Sequence, residues 1–155
     1  MWGIICDICA VVISLCALGF SIGQFFSEQN RCRREATIHA FDELEETVFS
    51  QEDYKKLAIY AGVENAISGK LEADKTQWNK ATLMLSRIEH FAVGVNAGIY
   101  DIKTLNRMAG GFMIGEFKRW KPIINTKRQQ TPNTKHYDEF EMLCKELEKL
   151  RGKSN

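Results

Sequence analysis

At 155 residues the chain has room for one anchor segment and one domain of ordinary size, which excludes a second independent core. Its 21 Lys and Arg against 20 Asp and Glu exclude the chain-wide basic signature of a nucleic-acid binder. Five cysteines, three of them within one apolar run, exclude the spaced framework of a small secreted disulfide scaffold, so free thiols are expected.

The chain opens MWGIICDICAVVISLCALGF, and from Trp2 to Phe26 its only charge is Asp7. A helix rising about 1.5 Å per residue crosses a hydrocarbon core of about 30 Å in roughly 20 residues, so residues 1–27 are expected to be a transmembrane anchor. A cleaved signal peptide would need a basic n-region, and Met-Trp-Gly is not one. Arg31, Arg33 and Arg34 follow the run, and no Lys or Arg precedes it. The positive-inside rule then predicts a single pass through the inner (cytoplasmic) membrane, with the N-terminus outside and the C-terminal domain cytoplasmic. Cys6 and Cys9 have C-x-x-C spacing but neither the strand-to-helix context of a redox motif nor a second ligand pair.

Asp7 is not isolated on its helix. Gly3, Asp7, Ala10, Ser14, Ala17 and Ser21 recur at alternating steps of four and three, and all are small or polar. The flanking faces carry Ile4, Ile8, Val11, Val12, Leu15, Leu18 and Ile22, which suit lipid. Membrane helices associate where small side chains let backbones approach, so the stripe predicts a helix–helix contact, with a second copy or with a partner transmembrane helix. The competing account is interfacial depth, because a carboxylate near the helix N-terminus costs less than one at mid-bilayer.

Residues 28–150 show helical spacing almost throughout, so the class is all-α: an N-terminal transmembrane helix followed by a cytoplasmic four- to five-helix bundle, with 151–155 as a frayed tail. A first segment over 28–49 is either a separate helix or a continuation of the anchor. Ser50-Gln-Glu-Asp53 resembles a capping box opening a second helix through Tyr54, Leu57, Ala58 and Ala61. The third is the clearest, with Trp78, Ala81, Leu85, Ile88, Ala92, Val95 and Ile99 at steps of three and four. Asp101 is the expected N-cap of a fourth, carrying Leu105, Ala109, Phe112, Met113 and Trp120 and ended by Pro122. Gly110, Gly111 and Gly115 predict a close backbone approach there, since each glycine costs about 1 kcal/mol relative to Ala in a helix interior. A last helix is expected over 136–150, with Tyr137, Phe140, Cys144 and Leu147 in register.

The stretch LSRIEHFAVGVNAGIYDIKTLNRMAGGFMIGEFKRWKPIINTKRQ resembles bacterial single-pass membrane proteins with a cytoplasmic helical domain of unknown function. Their pattern runs from a Glu-centred helix through a Gly and an acidic turn to a helix ending near a Pro and an Arg. The matching positions are Glu89, Gly98, Asp101, Pro122 and Arg128. The resemblance implies a bacterial or phage origin and a similar architecture, and no activity.

Two further features carry candidate chemistry. Arg34-Glu-Ala-Thr-Ile-His39 fits the Arg-x4-His spacing of HEPN-type ribonucleases, in which both residues act on RNA. Between Glu116 and Asp138 lie Lys118, Arg119, Lys121, Lys127, Arg128 and Lys135 without an acidic residue, interleaved with Phe117 and Trp120. If four cytoplasmic helices alternate down and up, this basic loop over 117–137 returns beside Arg31, Arg33 and Arg34, where anionic lipid headgroups would attract both. His39, His90 and His136 show no Glu-x-x-His spacing, so neither metal nor other cofactor is expected. The reading that follows is a membrane-anchored helical interaction or sensing protein without enzymatic activity. The alternative is a membrane-tethered HEPN-like ribonuclease using Arg34 and His39, and only under it is RNA a partner.

Overall fold

The computed structural model describes residues 2–61, 74–131 and 135–152, with side chains from residue 13 onward except those of 59–61. Among the described residues every regular element is helical: α1 (Trp2–Leu44), one π-helical turn (Glu45–Phe49), α2 (Glu52–Ala61), α3 (Lys75–Asn96), α4 (Ile102–Gln130) and α5 (Asp138–Gly152). The all-α expectation holds.

The segment over 28–49 does continue the apolar helix, and α1 is unbroken to Leu44. No proline or glycine lies between Gly23 and Leu44, and exposed pairs of Arg31 with Glu28 (3.2 Å) and Glu35 (3.5 Å) add a few tenths of a kcal/mol each across the junction. The expected transmembrane anchor over 1–27 finds no support among the described residues, where no helix is long and apolar enough to cross a membrane. The described side chains begin at Ile13, so the first part of the apolar run lies outside them. Of the predicted contact stripe, the side chains of Gly3, Asp7 and Ala10 lie outside the described residues. Ser14, Ala17 and Ser21 are exposed, and Ser21 donates back to the Ala17 carbonyl (2.9 Å).

From Thr37 onward α1 is packed. Thr37, Phe41 and Leu44 are buried, and this half of α1 lies against α3 and α4, each of which also packs on α5, while α2 covers α3 and α4. Most of the predicted core stripe of α3 is buried as expected: Trp78, Ala81, Leu85, Ile88, Ala92 and Val95. Its last member, Ile99, is not. It falls beyond the helix end and is 61% exposed. Gly94, off that stripe, is buried under the Tyr100 ring.

Asp101 caps α4 as expected, its carboxylate accepting the Lys103 (2.7 Å) and Thr104 (3.3 Å) backbone N–H groups. Pro122 does not end that helix, which continues to Gln130. A mid-helix proline leaves a carbonyl one turn back without its donor, and here Trp120, Ile123 and Ile124, all buried, hold both sides of the break against the core. The glycines of α4 meet side chains rather than backbone: a Cβ at Gly110 would overlap the Asn106 carboxamide, one at Gly111 would lie 3.4 Å from the Arg151 guanidinium, and one at Gly115 would meet nothing. The capping box at Ser50 is also not realised, since Asp53 pairs with Lys80 (2.7 Å) and Ser50 stays in right-handed helical geometry.

Direction decides the most consequential correction. Asp101 lies beside Thr37, Phe112 beside Phe49 (ring centroids 4.8 Å apart) and Trp120 beside Tyr54 (5.4 Å), so α4 runs parallel to α1 and away from its apolar end. Lys118 is therefore about 26 Å along α4 from Asp101, and the basic segment is not delivered beside Arg31, Arg33 and Arg34. It is also not a loop: Lys118, Arg119, Lys121, Lys127 and Arg128 all belong to α4.

Candidate functional site

The one turn of π-helix after α1 shapes the main concavity. The Ser50 N–H reaches the Glu45 carbonyl, five residues back (2.8 Å), which widens the helix by one residue and stops it. Carbonyls freed by this irregular end are taken by side chains, Glu46 by Gln51 Nε2 (2.9 Å) and Thr47 by Arg87 (3.2 Å). The turn drives Phe49 inward, where its ring meets Phe41, Tyr54 and Phe112 in edge or tilted contacts at 4.8–6.3 Å. Between this aromatic cluster and α4 lies a groove of about 930 Å³. Its apolar lining is Phe41, Phe49, Ala58, Met108, Ala109 and Phe112, and its polar lining is Glu45, Ser50, Lys55, Glu116 and Arg119.

Glu116, at the inner end of the groove, is only 2% exposed. Its carboxylate accepts hydrogen bonds from the Tyr54 hydroxyl, the Arg119 guanidinium and Trp120 Nε1 (3.2 Å), and Trp120 Nε1 also reaches the Tyr54 oxygen (2.9 Å). Burial, and then the Glu116 carboxylate, push the Tyr54 phenol well above its usual value, so it remains a neutral donor. This arrangement compensates a buried charge rather than preparing one for reaction, because three donors already occupy the carboxylate. Sequence reasoning passed over Glu116. The available signal was its register, since Leu105, Ala109, Met113, Glu116 and Trp120 recur at steps of four and three and place a carboxylate on the core stripe.

What the groove can do chemically is bind. Phe112 and Met108 are 44% and 42% exposed on its apolar side, while its polar side balances Lys55 and Arg119 against Glu45 and Glu116, a combination suited to apolar groups.

A family model described as Domain of unknown function (DUF4760) matches residues 4–147. The chain belongs to the DUF4760 family. The match takes in the apolar half of α1 together with the bundle, so both are parts of one DUF4760 unit. No curated protein and no solved structure matches the chain.

Within this DUF4760 fold the five positions singled out by the resemblance are structural joints. Glu89, half-buried on α3, accepts the backbone N–H groups of Glu139 (3.1 Å) and Phe140 (2.7 Å), capping α5 from another helix. Burial raises its pKa, opposed by those two N–H bonds. Gly98 has φ +73°, the left-handed geometry in which an L side chain is strained. Asp101 is a cap, and Pro122 lies inside α4. Arg128 ties the approach to α5 by donating to the His136 carbonyl (2.8 Å), Asp138 (2.8 Å) and Glu141 (2.9 Å).

The remaining predicted residues are spread out. Arg34 and His39 are both exposed, and five residues on an ideal helix put them about 140° apart. Arg34 leans toward Asp101 (3.7 Å), whereas His39 faces a shallow groove among Glu35, Ile38, Asp42, Glu43 and Glu46. The structure does not bring the pair onto one site. Lys118 pairs with Glu148 (3.1 Å), thirty residues on, and Arg119 with Glu116 one turn back on α4, so these two cations of the predicted basic patch are offset by carboxylates. Among the described residues no group of three or more His, Cys, Asp and Glu is placed to hold a metal ion. Cys16, Cys32 and Cys144 are free thiols, as expected of the described ones.

Proposed function

We propose that the chain is a membrane-anchored helical interaction or sensing protein: α1 enters the bilayer of the inner membrane, and the cytoplasmic bundle engages a partner through the groove over Glu116. The observation that carries this reading is the exposure of α1. Ile13, Leu15, Leu18, Phe20, Phe25 and Phe26 are each 58–68% exposed, on a helix that nothing else among the described residues covers before Arg33. Large apolar side chains left uncovered on every face but the small-residue stripe call for an apolar surrounding, and the sequence extends the same run back to Trp2, for 25 residues (2 to 26).

Arg31, Arg33 and Arg34 support a cytoplasmic bundle. The small-residue stripe through Asp7 and Ser14 supports a contact with a second copy in the bilayer. Expression in a bacterial host followed by fractionation tests the anchor. The protein should pellet with membranes, resist washing with carbonate and high salt, and dissolve only in detergent. Recovery as a dispersed monomer without detergent would overturn the reading.

A further inference from the structure

The end of the bundle nearest the apolar run, where the basic segment of α4 was expected, holds instead the turn between α3 and α4. Around the α3 terminus the Gly98 N–H bonds the Val95 carbonyl (3.0 Å) and the Ile99 N–H bonds the Gly94 carbonyl (2.9 Å), the bond pair of a Schellman motif with Gly98 left-handed. In that motif the residue holding the position of Ile99 usually folds back onto the side chain at the position of Gly94. Here Gly94 has no side chain and the Tyr100 ring fills its place, stacked on Phe91 with centroids 5.5 Å apart. Ile99 is left outside the fold, 61% exposed.

The turn is held firmly to α1. Buried Thr37 accepts the Asp101 N–H (2.7 Å), Arg34 reaches the Asp101 carboxylate (3.7 Å), and the Arg33 guanidinium lies over Gly98. Ile99 is thus anchored at the level of Arg33, seven residues or about 10 Å along α1 from Phe26. Headgroup layers add roughly 5–8 Å to each side of the hydrocarbon core, so an anchored α1 brings this turn to the outer edge of the headgroups. Charge at this end is also uneven. Glu28 and Glu35 pair with Arg31 and Asp101 pairs with Arg34, whereas Arg33, Lys103 and Arg107 have no carboxylate partner among the described residues. Arg33 Nε is shut from solvent with no acceptor.

We infer that the α3–α4 turn is a second membrane contact, in which Ile99 enters the headgroup boundary of an anionic lipid surface and Arg33 and Lys103, the cations nearest it, face its phosphates. The inference rests on the anchored reading of α1, and the test separates the two. The full chain, with Cys6, Cys9, Cys16 and Cys32 replaced by serine, is given one environment-sensitive fluorophore through Leu18→Cys, Ile99→Cys or Lys121→Cys. Each form is reconstituted in phosphatidylcholine vesicles with and without phosphatidylserine. Acyl-chain spin labels should quench the Leu18 probe in both lipids. Headgroup spin labels should quench and blue-shift the Ile99 probe, more strongly with phosphatidylserine, and leave the Lys121 probe unaffected. Lys103→Glu should lose much of the phosphatidylserine-dependent part. A quenched Leu18 probe beside an Ile99 probe as solvent-exposed as that at Lys121 would overturn this inference and leave the anchor standing. An unquenched Leu18 probe would refute the anchor and the turn contact together.

Discussion

The Glu89 carboxylate accepts the Phe140 backbone N–H at 2.7 Å, so a side chain of α3 caps the first turn of α5 across a sequence separation of 51 residues. The same carboxylate takes the Glu139 N–H, and Asn96 Nδ2 bonds the Glu139 carbonyl (2.9 Å) and its carboxylate (2.8 Å). The N-terminus of α5 is thus built into the α3 surface. Replacing Glu89→Ala removes two acceptors at once and should cost about 1–3 kcal/mol, with Glu89→Gln costing less because one amide oxygen still accepts. Urea unfolding followed by circular dichroism measures both. Equal midpoints for wild type and Glu89→Ala would show that water replaces the cap.

Thr37 joins α1 to the α3–α4 turn through a hydroxyl that donates to the Arg33 carbonyl (2.6 Å) and accepts from the Asp101 N–H (2.7 Å). Thr37→Val keeps the shape and leaves the Asp101 N–H without its acceptor, with an expected loss of about 1–3 kcal/mol, whereas Thr37→Ser should retain most of the stability. Hydrogen exchange at the Asp101 amide should accelerate in the valine variant only.

Removing the Glu116 carboxylate leaves Tyr54 and Trp120 bonded to each other but strips both of their charged acceptor. Glu116→Gln should be mildly destabilising and Glu116→Ala more so, by about 1–3 kcal/mol, since alanine also opens a void beside the groove. Because Arg119 is half exposed, water replaces its lost partner, and losing that pair adds little. A Glu116→Ala protein as stable as wild type would mean that the cluster is not a structural keystone of α2 and α4.

Alkaline conditions should weaken the fold. Burial pushes the Cys144 thiol from its ordinary 9.0 up to about 12, and raises the Tyr54 phenol above its ordinary 10.0. Both groups bind their protons more tightly folded than unfolded, so their contribution is intact below pH 9 and is lost as pH rises through that range. The slope for each is about 1.4 kcal/mol per pH unit, and between pH 10 and 12 the two act together. Chemical unfolding at stepped pH should show Cys144→Ala with the shallower decline; parallel declines would remove Cys144 from the account.

Self-association along α1 is tested by crosslinking. Single cysteines at Ala10, Ser14 and Ala17, in a chain without native thiols, should form disulfides between copies in the membrane, while those at Val11, Leu15 and Leu18 should not. Ser14→Leu should weaken the contact. Equal crosslinking around the helix would leave interfacial depth as the reason that Asp7 is tolerated.

By itself the sequence determined those features that depend on a few neighbouring residues: the helical class from 3.6-residue spacing, the core stripe of α3 from Trp78 to Val95, and the Asp101 cap, since a side chain two or three residues from an N–H either reaches it or does not. Only the tertiary structure decided which way α4 runs, that it passes through Pro122, that Glu116 is enclosed and Ile99 is not, and that Glu89 caps a helix fifty residues on. Each of those turns on which surface another helix covers. Burial by a distant segment outweighs a local preference of about 3 kcal/mol such as that of a mid-helix proline, and no window of neighbouring residues records it.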